Sequence, residues 1–210
     1  MYYLFDMDGV VVRSEPVMMG AAMELLEGYG ITVRREEYGS YVGAGEAKLL
    51  EGILASRGFS YEPEMKDRLY EIYIRRAQSE LQAFPNIKTV LSALKERGEK
   101  IALSSSADMV KIRANLEVVD IPLTWFDALV SGEEAEKKKP DPEIFLKSAE
   151  RLGANPANCL VIEDALNGIR AAKAAGMKCA GFTSYFSREQ LSAEKPNYII
   201  DDLMEILNLT

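Results

Sequence analysis

The 210-residue chain contains no histidine at all. That removes Ser-His and Cys-His nucleophile pairs, phosphohistidine chemistry and most transition-metal sites, so acid–base work falls to carboxylates, Lys, Tyr or Cys. Cysteine is nearly absent: the two present, Cys159 and Cys179, sit in the apolar runs CLVI and KCAGF and read as small buried hydrophobes rather than a disulfide. No apolar stretch reaches the 18 or so residues that a membrane span needs. No basic segment precedes the first apolar run, so a cytoplasmic location is the expectation. Positive charge is in deficit, with a net charge of −8, which repels phosphate backbones and argues against a nucleic-acid partner.

What the chain has is alternation. From residue 86 onward NIKTVLSALKERG reads as a helix closed by Gly98, KIALSSS as a strand and DMVKIRANLEVV as a helix. FDALVSG, CLVIED, KCAGF and NYII read as further strands, with the helices DPEIFLKSAERLG and ALNGIRAAKAAG among them. Repeated β-then-α order implies an α/β fold, a Rossmann-like parallel sheet with right-handed crossovers. Residues 14–81 break the rhythm with helical patterns such as PVMMGAAMELLEGYG and KLLEGILASRG and no convincing strand. They read as an insertion, an α-helical domain placed in a core made of residues 1–13 and 82–210. Phe84-Pro85-Asn86 marks the return.

Chemistry gathers at predicted strand ends, where open α/β sheets bind ligands. YYLF stops at Asp6-Met7-Asp8-Gly9, and two aspartates two apart on an extended chain point the same way. CLVI stops at Glu163-Asp164. Up to four carboxylates in one pocket repel one another unless a cation neutralises them, and Mg²⁺ fits an all-oxygen donor set. Taken singly, Asp164 also reads as a helix N-cap, Ser104 to Ser106 as an ordinary turn, and Lys137 to Lys139 as a solvated basic run.

In order, Asp6-x-Asp8-Gly9, Ser105 after IAL, Lys139-Pro140 before a helix, and Glu163-Asp164 after CLVI resemble the motifs of the haloacid dehalogenase superfamily of phosphotransferases. The resemblance spans essentially the whole chain, and the inserted helices resemble the superfamily's first class of cap. It implies that Asp6 attacks phosphorus to form an aspartyl-phosphate, and that Asp8 protonates the leaving oxygen, activates water and lends its carbonyl to the metal. It implies that Ser105, with Ser106 beside it, binds the phosphoryl group and that Lys139 balances the nucleophile's charge. Asp164 is the implied direct ligand of Mg²⁺ with Glu163 in support, and the choice between these two stays open.

In the cap, Tyr41-Val42-Gly43-Ala44-Gly45-Glu46-Ala47-Lys48 resembles a substrate-specificity loop, which makes Gly43, Gly45 and Lys48 candidate substrate-binding residues. Arg75 and Arg76 are candidates for an anionic substrate tail, and read equally as surface charge. The chain looks most like the β-phosphoglucomutase-like group of mutases and small-molecule phosphatases. It departs from the mutase pattern at Met18, where that pattern has histidine, and at Glu46, where it has arginine; separately, Arg13 stands before Ser14-Glu15 at a position that is usually aspartate. The expectation is a Mg²⁺-dependent phosphoric monoester hydrolase for a small phosphorylated metabolite, a sugar phosphate or similar, acting as a monomer. The alternatives are a phosphosugar mutase and a non-catalytic binding protein on the same scaffold.

Overall fold

The computed structural model describes residues 1–34, 37–38 and 45–209. Six strands, β1 (Tyr2–Phe5), β2 (Lys100–Ser104), β3 (Ala128–Val130), β4 (Cys159–Glu163), β5 (Lys178–Phe182) and β6 (Tyr198–Ile200), form one sheet in the order β3-β2-β1-β4-β5-β6. All five pairings are parallel. Parallel strands are covered on both faces, which is why β4 is buried at every position and reads as a continuous apolar run. Side chains alternate across the sheet. Tyr3 and Phe5 join Ile101, Leu103, Leu160 and Ile162 in one core cluster, while Leu4 joins Ala102, Val161, Cys159 and Cys179 in the other. Both cysteines are free and buried, as their sequence context implies.

The chain starts in the middle of the sheet, adds β2 and β3 on one side of β1, then β4 to β6 on the other. The reversal opens a crevice beyond the carboxyl ends of β1, β2 and β4. Helices α1 (Glu15–Glu27), α2 (Glu46–Ala55) and α3 (Pro63–Glu80) lie between β1 and β2 in the chain. They share the first core cluster through Val17, Leu26, Leu50, Leu69 and Tyr73. Where the chain leaves the sheet and returns, its two segments pair: Arg13 N donates to Gln82 O at 2.8 Å and Phe84 N to Val11 O at 3.0 Å.

The sheet's own crossovers are α4 (Ile87–Glu96), α5 (Met109–Val118), α6 (Glu143–Arg151), α7 (Leu166–Ala174) and α8 (Arg188–Ala193). The sequence reading has no counterpart for α8. Its signal is local: Ser187 and Gln190 form a reciprocal capping box at its start. None of the helices among the described residues is long and apolar enough to cross a membrane.

Candidate active site

Asp6 follows β1, and its amide donates to Ile162 O at 3.0 Å, extending the β1–β4 pairing by one residue. The chain then turns at Gly9, with φ +82°. A Cβ there would run into the Asp164 carboxylate, and one on Gly168 into the Glu163 carboxylate. Two glycines therefore let the β1 turn and α7 close on the end of β4, seating both acidic side chains against bare backbone.

Lys139 comes in from the loop before α6. Its Nζ donates to Asp6 Oδ1 at 2.6 Å and to Glu163 Oε1 at 2.5 Å, and it sits 4.9 Å from the Phe145 ring centroid. Glu163 Oε2 accepts from Ala165 N at 2.7 Å, and Asp164 Oδ2 accepts from the Ser184 hydroxyl at 2.9 Å. Asp8 accepts from Ser14 Oγ at 2.5 Å on one oxygen and from Lys111 Nζ at 2.9 Å on the other. Lys111 also donates to Glu46 Oε1 at 2.8 Å. The charged groups among these line a cavity of about 60 Å³. A larger cavity of about 480 Å³ opens beside it, sharing Glu15 and Tyr38 and walled by Arg13, Phe84, Phe182 and Tyr185.

The electrostatics show excess negative charge. Burial pushes the Asp6 carboxyl up to about 8, with Glu163 and Asp8 adding to the rise and Lys139 opposing it. Burial also lifts Asp164 well above the carboxylate range, reinforced by Glu15, Glu163 and Asp6. Glu15 rises to about 7 through burial and the neighbouring Asp8. For Lys139 burial favours the neutral amine, but Asp6 and Glu163 overcome it and hold the ammonium form. Oxygen donors that resist ionisation together are what a divalent hard cation relieves, so the donor set fits Mg²⁺. Among the described residues no three acidic side chains form a ready-made metal cluster. Asp6 and Asp164, whose side chains line this cavity, and the Asp8 carbonyl are the oxygens that could hold such an ion.

Of the residues expected at the site, Asp6, Asp8, Gly45, Ser106, Lys139, Glu163 and Asp164 line the small cavity, as do Met18 and Glu46. Ser105 does not line it: it is fully buried and its Oγ accepts from Ala107 N at 3.1 Å, shaping the turn that presents Ser106 and Ala107. Lys48 is exposed on α2 and does not line the cavity. Gly43 lies outside the described residues. Arg75 and Arg76 pair with Glu24 on α1 and take the surface-charge reading. Sequence reasoning missed Lys111, Glu15 and Ser184. A signal for Lys111 existed, because it and Asn115 share the buried stripe of α5 with Ile112 and Leu116, and a polar pair on such a stripe has a partner to find.

The chain is similar to several known proteins. The chain is 39% identical over 207 residues to the chloroplastic protein SUPPRESSOR OF QUENCHING 1 of Arabidopsis thaliana, covering 97% of this chain but only 20% of that protein's length. It is 31% identical over 176 residues to a phosphorylated carbohydrates phosphatase of Thermotoga maritima, 83% of this chain and 81% of that one. In three dimensions it matches a β-phosphoglucomutase from Clostridium difficile with a TM-score of 0.84 and 27% identity, covering 99% and 95% of the two chains. The family model for haloacid dehalogenase-like hydrolases matches residues 2–176, from β1 through the end of α7. Every strand end that carries a charged group described above falls within that span, and the chain belongs to the haloacid dehalogenase-like hydrolase family.

Proposed function

We propose that the protein is a Mg²⁺-dependent phosphatase of a small phosphorylated metabolite, a sugar phosphate or similar, working through an aspartyl-phosphate on Asp6. The observation that carries this reading is the bridge of Lys139 between Asp6 and Glu163 at the ends of two adjacent strands, with Asp8 two residues further on. The phosphatase from Thermotoga maritima and the family match support it.

Asp6 Oδ attacks phosphorus and the bond to the leaving oxygen breaks. Asp8 gives that oxygen its proton, and the alcohol departs. Asp8 then takes a proton from water, which attacks phosphorus and frees inorganic phosphate and Asp6. Ser14 and Lys111 contact the two oxygens of the Asp8 carboxyl group and fix its orientation for both proton transfers. Lys139 keeps the Asp6 side chain oriented and opposes the negative charge on the phosphoryl oxygens. Mg²⁺ held by Asp6, Asp164 and the Asp8 carbonyl, with Glu163 behind them, would supply the positive charge that keeps the buried carboxylates ionised beside a phosphate dianion.

In this reading residues 14–81 form a cap over a core of residues 1–13 and 82–210, and the paired segments at Arg13 and Gln82 are its hinge. A monomer in the cytoplasm acting on a diffusible substrate completes it, in keeping with the net charge of −8. Hydrolysis is favoured over isomerisation because Met18 and Glu46 face the cavity where a mutase would present histidine and arginine. The test is release of inorganic phosphate from a panel of sugar and polyol phosphates. Activity should require Mg²⁺, vanish in EDTA and fall by at least about a thousandfold in Asp6→Asn. Substantial turnover by that variant would refute the aspartyl-phosphate.

A further inference from the structure

Lys111 is a lysine on a core helix with 3% of its surface exposed. Its ammonium stands between two carboxylates brought from far away in the chain, Asp8 of the β1 turn at 2.9 Å and Glu46 of α2 at 2.8 Å. The Tyr73 ring closes over it at 5.1 Å, and the Tyr73 hydroxyl donates to Asn115 Oδ1 at 2.8 Å. One turn earlier Asp108 pairs with Lys66 of α3 at 2.5 Å, and its amide donates to the Tyr70 hydroxyl at 3.3 Å. One face of α5 therefore meets the inserted helices through polar contacts at 108, 111 and 115. Lys111 alone carries that contact into the catalytic cavity.

The consequence lies in the cation count. Among the described residues the catalytic cavity is lined by six carboxylates, Asp6, Asp8, Glu15, Glu46, Glu163 and Asp164, against two ammonium groups. Both ammonium groups are committed: Lys139 to Asp6 and Glu163, Lys111 to Asp8 and Glu46. A divalent cation held there would offset two of the four excess negative charges and would serve the phosphoryl group being transferred. Among the described residues, no uncommitted cation lines this cavity to hold a second anion. To recruit Lys111, such an anion would have to displace Glu46, which is 7% exposed and would be stranded as a buried carboxylate without a partner. In the neighbouring cavity the one guanidinium among the described residues, Arg13, lies over the Phe84 ring at 5.0 Å and shares the walls with three carboxylates, Glu15, Asp201 and Asp202.

We propose that Lys111 and Glu46 form a specificity element that admits phosphate monoesters whose remainder is uncharged and rejects bisphosphates and phosphorylated carboxylic acids. This deepens the phosphatase reading and rests on it. Lys111 acts here by occupying its own charge with Glu46, so that discrimination comes from a buried penalty against the wrong ligand rather than from added attraction for the right one.

The experiment compares kcat/KM with Mg²⁺ for a hexose monophosphate, a hexose bisphosphate and phosphoglycolate, with an aryl phosphate as a control for generic activity. The wild-type protein should favour the hexose monophosphate over both others by at least about tenfold. Glu46→Gln frees the Lys111 ammonium, and should shrink that ratio by about tenfold through a lower KM for the doubly anionic substrates. Adding Lys111→Gln to Glu46→Gln removes the freed cation and should restore the ratio, which a merely structural pair would not do. Equal turnover of all three substrates by the wild type overturns the proposal, whether or not any variant folds. So does a ratio unmoved by Glu46→Gln in a variant with native circular dichroism. Inactivity on every substrate including the aryl phosphate would overturn the phosphatase reading itself, and this inference with it.

Discussion

Replacing Lys139 with methionine isolates the interaction on which the site is built. The ammonium is within 2.6 Å of Asp6 and 2.5 Å of Glu163, and all three side chains are less than a tenth exposed. Methionine fills much of the same volume, so the loss is electrostatic. Removing one partner of a buried ion pair costs about 3–5 kcal/mol, because the remaining charge is left without compensation. Against a total stability of about 5–15 kcal/mol that is a large share. For a chain of this length each kcal/mol moves Tm by about 2–4 °C, so Lys139→Met should unfold about 6–20 °C below the wild type. The assay is thermal unfolding followed by circular dichroism in EDTA, which prevents a divalent cation from standing in for the ammonium. Adding Glu163→Gln to Lys139→Met removes one stranded charge and should recover about 0.5–3 kcal/mol, the usual coupling between contacting residues. With Mg²⁺ restored, kcat should fall by about 10²–10³, as for the loss of a single preorganised donor. A Tm within about 2 °C of the wild type, well short of that range, would show that Lys139 does not compensate the two carboxylates, and would refute the reasoning.

Gly9→Ala forces a Cβ into the Asp164 carboxylate at a backbone φ of +82°, so the Mg²⁺ concentration for half-maximal activity should rise by about 10–100-fold, as for lost support around a metal ligand, and an unchanged Mg²⁺ titration would contradict that placement. Glu143 accepts from Lys147 and from the amides of Lys137 and Glu136, which pulls its carboxyl down to about 2. A depressed folded-state value stabilises above the unfolded pKa of about 4.3 and loses that contribution as pH falls. Glu143→Gln should therefore lower urea stability at neutral pH, and its deficit should close as the pH approaches 2; a deficit independent of pH would sink this account. Burial pushes the Cys159 thiol up to about 11 and raises Cys179 as well, so a disulfide-exchange reagent should label neither cysteine in the native protein and both after denaturation.

Much of the fold and part of the site were legible in the sequence, because the signals are local. An apolar run that ends in Asp6-Met7-Asp8-Gly9 reports a strand and its turn within one window. The same holds for CLVI ending in Glu163-Asp164, and the helical interruption at residues 14–81 stands out against the β-then-α rhythm on either side. Strand order was not local information: that β1 lies between β2 and β4 decides that Asp6 and Glu163 share Lys139. Ser105 shows the limit of a motif, since its position at a strand end was readable but the inward turn of its hydroxyl toward Ala107 was not. Lys48, Arg75 and Arg76 show the limit of charge, because whether a cation faces a cavity or a surface glutamate depends on which helix face packs inward. Lys111 is the clearest case. Its partners Asp8 and Glu46 lie 103 and 65 residues away, and an ion pair across such separations leaves no periodicity or spacing to read. The sequence by itself determined which residue types arrive at the strand ends, since that follows from alternation and turn chemistry along the chain. Only the tertiary structure decided which charges neutralise one another, since that follows from distances of a few ångströms between segments that the chain order keeps apart.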